Sequence, residues 1–169
     1  MAEELVPNFV TAFLTQKETN LIILGIPKRS DYEAYLNFFR QKNVKHWFIC
    51  CEMDQGLEFF GNNGIEVHSI EWEDGSSPPN DVIMRYLPFF HSKDRAKSEF
   101  IAVACKHGFG RAPTIGAISL IEKGFTPVQT LTWLREVNPR FITEKQKTFI
   151  LSYKKMGDSR DPGCGCIIL

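Results

Sequence analysis

The chain has 169 residues, of which 43% are hydrophobic, and its 20 basic and 20 acidic residues leave no net charge at neutral pH. This length predicts one domain with a full hydrophobic core, and the balanced charge argues against a nucleic-acid-binding surface. No apolar segment is long enough to span a bilayer, and the N-terminus lacks a signal-peptide pattern, so we expect a cytosolic protein.

The five cysteines lack metal-ligand spacing and are expected to be thiols. His46, His68 and His91 are expected to be ordinary surface or core side chains.

Short apolar runs alternate with helical patterns along the chain. In chain order, the sequence predicts strands at 9–14 and 21–26, a helix at 30–41, a strand at 47–51, a short helix at 57–60, a strand at 65–70, a helix at 80–90 and a strand at 100–104. Three further helices follow at 112–121, 128–137 and from 143 to about 153. Strands that alternate with helices predict an α/β fold with a central, mostly parallel sheet of about five strands and helices on both faces.

Two of the predicted helices begin with a capping pattern. Ser30 with Glu33, and Thr143 with Gln146, match the capping box, in which two side chains satisfy backbone N–H groups at the start of a helix. Both helices are therefore expected to begin at these residues.

The segment between the strand at 100–104 and the helix at 112–121 has the composition of a phosphate-binding loop. Its expected phosphate-binding residues are Lys106, His107, Gly108, Phe109, Gly110 and Arg111. The two glycines permit a tight turn with inward backbone N–H groups, and Arg111 can bind two phosphate oxygens at once. The positive end of the following helix favours a thiolate at Cys105, the form that attacks phosphorus. The alternative for Cys105 is an inert buried cysteine.

A carboxylate in a loop of turn residues is the candidate proton donor. Asp74 lies between the predicted strand at 65–70 and Pro78-Pro79, where a movable loop is expected. The alternatives are that Asp74 is an ordinary turn residue and that the adjacent Glu73 takes the role.

These motifs together resemble the cysteine-dependent dual-specificity phosphatases. The run from Cys105 to Pro113, with Ala112 after Arg111, is most similar to the phosphatases of regenerating liver, the prenylated type IVA tyrosine phosphatases. Further similarities are Cys51-Glu52 after a strand, Trp72 with Asp74-Gly75, Pro78-Pro79, Lys145-Gln146 and a C-terminal prenylation box. The resemblance implies the fold of that family, with a phosphatase domain at 1–155 and a tail at 156–169.

The resemblance implies a role for each candidate residue. Cys105 is the implied nucleophile, Arg111 and the loop N–H groups hold the phosphoryl group, and Asp74 is the implied general acid and base. The implied substrates are phosphoproteins or phosphoinositides, and no cofactor or metal ion is implied. Cys51 resembles a resolving cysteine that forms a disulfide with the nucleophile. Cys50 remains an alternative, because neighbouring strand residues face opposite sides and only one of the two can face Cys105.

Two features depart from the family pattern. Ala104 precedes the nucleophile where the family has a histidine that supports the loop and the thiolate, so slow catalysis is expected, and Ala104→His is expected to accelerate it. The spacing from Trp72 to Asp74 is also shorter than in the family. The alternative function is therefore a pseudophosphatase that binds a partner, since family members bind magnesium transport mediators through this face. Gln146 also resembles a water-positioning or substrate-side glutamine of the family, and its role in the capping box explains the residue equally well.

The last four residues, Cys166-Ile167-Ile168-Leu169, match a prenylation box, and the terminal leucine predicts a geranylgeranyl group on Cys166. One lipid chain gives only reversible membrane binding, so Cys164 is a candidate for a second acylation. The resemblance thus implies a protein on the cytoplasmic face of the plasma membrane or endosomes. It also allows self-association.

Overall fold

The computed structural model describes residues 7–53 and 55–156, which form a five-stranded sheet with helices on both faces. The strands are β1 (Val10–Leu14), β2 (Leu21–Gly25), β3 (His46–Ile49), β4 (Glu66–Ser69) and β5 (Ile101–Cys105). The α-helices are α1 (Tyr32–Gln41), α2 (Leu57–Asn62), α3 (Asn80–Phe90), α4 (Arg111–Glu122), α5 (Pro127–Val137) and α6 (Glu144–Ser152). The predicted α/β architecture is confirmed, and each predicted element is present with its ends shifted by at most two residues.

The sheet has the order β1-β2-β5-β3-β4, and only β1 is antiparallel to its neighbour. β5 lies at the centre with all of its residues buried, as expected for a parallel strand covered on both faces. Its parallel neighbours end at the same edge, since Gly25 of β2 pairs with Cys105 and Ile49 of β3 pairs with Ala104. The carboxyl ends of β2, β3 and β5 therefore lie at one edge of the sheet. This edge is where ligands bind in parallel sheets.

Two hydrophobic clusters cover the two faces of the sheet. On one face, Phe39 of α1 and Phe60 of α2 pack against Trp47 of β3. Helices α3 to α6 cover the other face. The approach of α4 is so close that a Cβ added at Gly116 would lie 2.7 Å from Leu14 Cδ1. This close packing holds α4 against β1 and β2.

One capping prediction is confirmed and the other is wrong. Thr143 and Gln146 form the complete capping box at the start of α6. Ser30 and Glu33 do not form one, because the Ser30 hydroxyl donates instead to Asp31 Oδ1 at 2.9 Å. A 3-10 turn at this point delays the start of α1 by two residues.

A buried carboxylate on α4 joins three segments of the chain. Glu122 is 3% exposed, and its carboxylate lies 3.0 Å from Nε2 of His91 at the end of α3. It also accepts hydrogen bonds from the Tyr153 hydroxyl at 2.8 Å and from the Met156 N–H at 2.7 Å, both beyond α6. Glu122 therefore holds the end of the described chain against the core.

We expect Glu122→Ala to lower the free energy of unfolding by about 3 kcal/mol, because the Tyr153 hydroxyl and the Met156 N–H lose their buried acceptor. Urea denaturation measures the change. Glu136→Ala, on the exposed side of α5, is the control and is expected to change the free energy by less than about 0.5 kcal/mol. Equal stability of the two variants would contradict the prediction.

Candidate active site

The loop between β5 and α4 runs from Cys105 to Arg111 and turns tightly over the sheet edge. Gly108 has a φ of +77°, and an added Cβ would lie 2.8 Å from the backbone of β2, so the loop requires glycine there. Thr11 Oγ1 lies 2.9 Å from Gly108 O and connects the loop to β1. Gly110, by contrast, has a φ of −120°, which other residues adopt as well.

The loop presents backbone donors and basic side chains to solvent. Among the described residues, no backbone carbonyl or side chain accepts a hydrogen bond from the N–H groups of residues 106–110. Lys106 and His107 are exposed. Phe109 is half-buried, and the guanidinium of Arg140 lies 4.2 Å from the centre of its ring. N–H groups without an acceptor in this part of the chain, beside the cationic side chains of Lys106 and Arg140, are suited to bind an anion.

Arg111 connects this loop to the segment that carries Asp74. The Arg111 side chain is buried, and its Nη1 donates to Trp72 O at 2.8 Å. Its Nε lies 3.3 Å from Asp74 Oδ1, but this buried N–H makes no hydrogen bond within the described part of the chain. Because the Asp74 side chain is 78% exposed, solvent screens the pair and it contributes little stability. The guanidinium therefore holds the segment that carries Asp74 beside the loop at 105–111. Its Nε–H is still available to donate to an anion.

The start of α6 holds the Asp74 loop through the same two residues that cap the helix. Thr143 Oγ1 accepts from the Gln146 N–H and donates to Gly75 O at 3.0 Å. Gln146 Oε1 accepts from the Thr143 N–H, while Gln146 Nε2 donates to Ser76 O at 3.2 Å. The Gln146 side chain is fully buried. The two residues that follow Asp74 are thus both bonded to the α6 cap.

The candidate catalytic residues meet at two neighbouring clefts. Cys105, Asp74 and Lys106 line a cleft of about 440 Å³. Cys51 and Arg111 line a second cleft of about 510 Å³, which shares Asp74 and Lys106 with the first. The structure therefore brings together the candidate nucleophile Cys105, Arg111 and the candidate acid Asp74 at adjoining clefts.

The three described cysteines are free thiols, and Cys166 lies outside the described residues. Cys50 is fully buried in the same hydrophobic cluster as Cys105, and burial raises the pKa of the Cys50 thiol well above its usual value. Cys51 lines the cleft, and burial raises the pKa of its thiol to about 11 despite the opposing effect of Arg111. Cys50 and Cys51 are therefore both protonated thiols at neutral pH. Cys51 lines the 510 Å³ cleft, which Cys105 does not line, and Cys50 lines neither of the two clefts.

Ala104 is fully buried on the α1 side of β5, in the cluster that contains Tyr35 and Trp47. A histidine at this position would add a ring to a filled core, and overpacking costs about 1–3 kcal/mol. Ala104→His is therefore expected to accelerate turnover and, at the same time, to lower the free energy of unfolding.

Two contacts are not predictable from the sequence patterns. One is the docking of the Asp74 loop on Thr143 and Gln146, which belong to a distant helix. The other joins His46 of β3 and His68 of β4, whose facing nitrogens are 3.1 Å apart. Residue alternation places Glu66 and His68 on one face of β4. The alignment of β4 with β3, which brings these side chains to His46, is a tertiary feature.

Comparison with known proteins identifies the family. No protein-family model matches the chain. The protein named "Probable protein tyrosine phosphatase type IVA A" from Dictyostelium discoideum is 32% identical over 145 residues, which cover 85% of this chain and 87% of that protein. The protein tyrosine phosphatase PRL-1 of Trypanosoma cruzi is 29% identical over 154 residues, which cover 88% of each. A solved protein tyrosine phosphatase from Leishmania major covers 80% of this chain and 88% of its own, with 25% identity and a TM-score of 0.71. The chain therefore belongs to the type IVA family of protein tyrosine phosphatases.

Proposed function

We propose that this protein hydrolyses phosphomonoesters of phosphoproteins through a phosphocysteine intermediate on Cys105. The supporting observation is that Cys105, Arg111 and Asp74 converge on adjoining clefts, beside loop N–H groups that have no acceptor among the described residues. Lys106 and Arg140 at the rim add positive charge for a dianionic phosphate. Phosphoinositides carry the same phosphate group and are the alternative substrates.

In the proposed mechanism, the Cys105 thiolate attacks phosphorus, and the bond from phosphorus to the leaving oxygen breaks. Asp74, as the acid, donates its proton to that oxygen. Asp74 then takes a proton from water, whose oxygen attacks the phosphocysteine and displaces the thiolate. Arg111 and the loop N–H groups bind the equatorial oxygens throughout, since they stabilise the charge that develops there.

Cys105→Ser is expected to reduce turnover of an aryl phosphate to background, because a serine hydroxyl is not ionised at neutral pH and is a poor nucleophile here. Release of the aryl alcohol measures turnover, and circular dichroism checks the fold. Cys50→Ser is the matched control, since Cys50 is fully buried and lines neither of the two clefts. Wild-type turnover in Cys105→Ser would contradict the assigned nucleophile.

A second candidate function is partner binding with little turnover. It is supported by Ala104, which replaces the family histidine before the nucleophile with a residue that carries no polar group. The partner class implied by the resemblance is a magnesium transport mediator. Rapid-mixing kinetics separates the two functions: a phosphatase releases many equivalents of aryl alcohol, whereas a binding protein releases one or none.

Gln146→Glu is expected to lower kcat by about 10- to 100-fold, because the Asp74 loop loses the hydrogen bond to Ser76 O and shifts away from the substrate. Glutamate still accepts the Thr143 N–H bond in a capping box, but its buried carboxylate would face the Ser76 carbonyl with no proton to donate, so a lower Tm is expected as well. Asp74→Asn is expected to lower kcat by about 100-fold or more, as for loss of a general acid. Steady-state kinetics and thermal unfolding measure both effects.

The matched control for Gln146→Glu is Gln129→Glu, because Thr126 and Gln129 form an identical capping box at the start of α5, away from the clefts. An equal loss of kcat in Gln129→Glu would exclude an effect through the loop. Glu73→Gln tests the neighbouring carboxylate, and a larger loss in this variant than in Asp74→Asn would assign the acid to Glu73.

We also propose that Cys51 forms a reversible disulfide with Cys105 after oxidation. Peroxide converts the Cys105 thiolate to a sulfenic acid and is itself reduced to hydroxide. The Cys51 thiolate then attacks the sulfenic sulfur and displaces a second hydroxide, which forms the bridge. The proposal is supported by the position of Cys51 at the cleft beside Arg111.

The rate of bridge formation is expected to rise with pH. Since the pKa of Cys51 is raised to about 11, its thiolate fraction is small at pH 7 and increases about tenfold for each pH unit below that value. Peptide mapping of samples quenched after peroxide treatment, between about pH 7 and pH 9, measures the rate. Cys51→Ser is the control and is expected to leave over-oxidised Cys105. Pairing of Cys50 with Cys105, or a rate independent of pH, would contradict the proposal.

Membrane attachment through a prenyl group on Cys166 is a further proposal, supported by the last four residues of the sequence. None of the helices within 7–53 and 55–156 is long and apolar enough to cross a membrane. A lipid on the tail would hold the phosphatase domain next to membrane-bound substrates.

Cys166→Ser is expected to move the full-length protein from the membrane fraction to the soluble fraction of cells, because the prenyl acceptor is lost. Fractionation and immunoblotting measure the distribution. Cys164→Ser keeps the prenylation box and is the control, with a smaller shift expected. Equal membrane fractions of the wild type and Cys166→Ser would leave the box without a role in attachment.

A further inference from the structure

The side chains of His46, Glu66 and His68 lie together at the edge of the sheet, away from the active-site clefts. His46 begins β3, and the parallel register pairs it with Glu66 of β4. His68 lies two residues further along β4, so it projects from the same side of the strand as Glu66. The group lies at the amino end of β3, whereas Cys51 and the active-site clefts lie beyond its carboxyl end.

Potential ligand atoms of these side chains approach one another closely, and with one atom taken from each residue they all lie within 4.8 Å of one another. His46 Nδ1 is 3.1 Å from His68 Nε2. Oε2 of Glu66 is 3.5 Å from His46 Nδ1, and Oε1 is 3.6 Å from His68 Nε2. Zinc bonds to nitrogen and oxygen of about 2.0–2.2 Å, arranged tetrahedrally, require ligand atoms about 3.3–3.5 Å apart. The Glu66 side chain is 62% exposed, so its carboxylate can rotate to place one oxygen at the third corner.

From this geometry we propose that His46, Glu66 and His68 form a site for a divalent transition-metal ion of the zinc class. Two imidazoles and one carboxylate are a donor set that suits zinc, and water would complete the tetrahedron. The carboxylate also offsets part of the positive charge of the ion. In the metal-bound state, both facing nitrogens carry lone pairs, so each neutral ring holds its proton on the opposite nitrogen.

Aromatic packing holds the two rings in place before any ion binds. His68 stacks on Phe48, with ring centres 4.4 Å apart, and Phe89 of α3 lies 4.5 Å from His68 and 5.0 Å from His46. Preorganised ligands lose little conformational entropy when they bind. Because β4 is a four-residue strand at the edge of the sheet, the ion would cross-link it to β3. The site is therefore expected to stabilise the domain and to take no part in phosphate transfer.

Titration of the full-length protein with Zn²⁺, followed by calorimetry and thermal unfolding, tests the proposal. One ion is expected to bind at this site and to raise Tm. Because the cysteines also bind zinc, Co²⁺ is used as a spectroscopic probe. Visible d–d bands of tetrahedral Co²⁺ without thiolate-to-cobalt charge transfer are expected from a site of nitrogen and oxygen ligands. The same signal is expected in Cys105→Ser.

Two variants remove ligands with little risk to the fold. His46→Asn and Glu66→Gln are expected to weaken Zn²⁺ binding by at least about tenfold and to abolish the rise in Tm, since even groups behind the ligands change affinity by about 10- to 100-fold. His91→Asn, which removes a histidine elsewhere, is the control and is expected to bind normally. Unchanged affinity in both ligand variants, Co²⁺ spectra with thiolate bands alone, or a Kd weaker than about 1 mM would overturn the proposal.

Discussion

The buried guanidinium of Arg111 is the interaction on which the arrangement of the active site depends. As the first residue of α4, Arg111 is fixed by the packing of that helix on the central strands. Its hydrogen bond to Trp72 O and its position beside Asp74 hold the segment that carries Asp74 next to the loop that follows Cys105. One cation thus connects the candidate phosphate-binding loop to the candidate proton donor.

The second support of the acid loop comes from the end of the domain. The capping box of α6 satisfies its own helix start, and the groups that remain, the Thr143 hydroxyl proton and the Gln146 amide, reach the carbonyls of Gly75 and Ser76. A glutamate would complete the same cap but could not donate. Capping alone therefore does not explain why residue 146 is a glutamine, whereas the hydrogen bond from its amide to Ser76 O does. Helix stability and loop position are coupled through two side chains.

The two ends of the parallel sheet have opposite chemical character. At the carboxyl ends of the strands, basic side chains and N–H groups that have no acceptor among the described residues favour an anion. At the other end of β3, His46 and His68 face each other beside a carboxylate, which favours a cation. The central strand β5 separates these regions, and Cys105 at its carboxyl end is the residue of β5 that lines a cleft. The proposed ion site is therefore remote from the candidate active site.

The sequence by itself determined the elements of this protein, the candidate phosphate-binding loop and the family resemblance, because each depends on neighbouring residues. The run from Cys105 to Arg111 follows a strand and precedes a helix, and this local order is enough to predict an anion-binding loop. Even so, the local pattern at Ser30 failed, since the adjacent Asp31 competes for its hydroxyl. The order of the strands, and the position of Cys51 rather than Cys50 at the 510 Å³ cleft, are features of the tertiary structure.

Contacts between residues that are distant in the chain could not be predicted from the sequence either. Thr143 and Gly75 are 68 residues apart, and His46 and His68 are 22 apart. Each contact requires that two elements pack at a particular register, which no single segment specifies. Hydrophobic periodicity determines which face of an element is buried, but shape and packing between the elements determine which polar groups meet at their edges. For this reason the sequence predicted the reactive groups, and only the tertiary structure revealed what positions them.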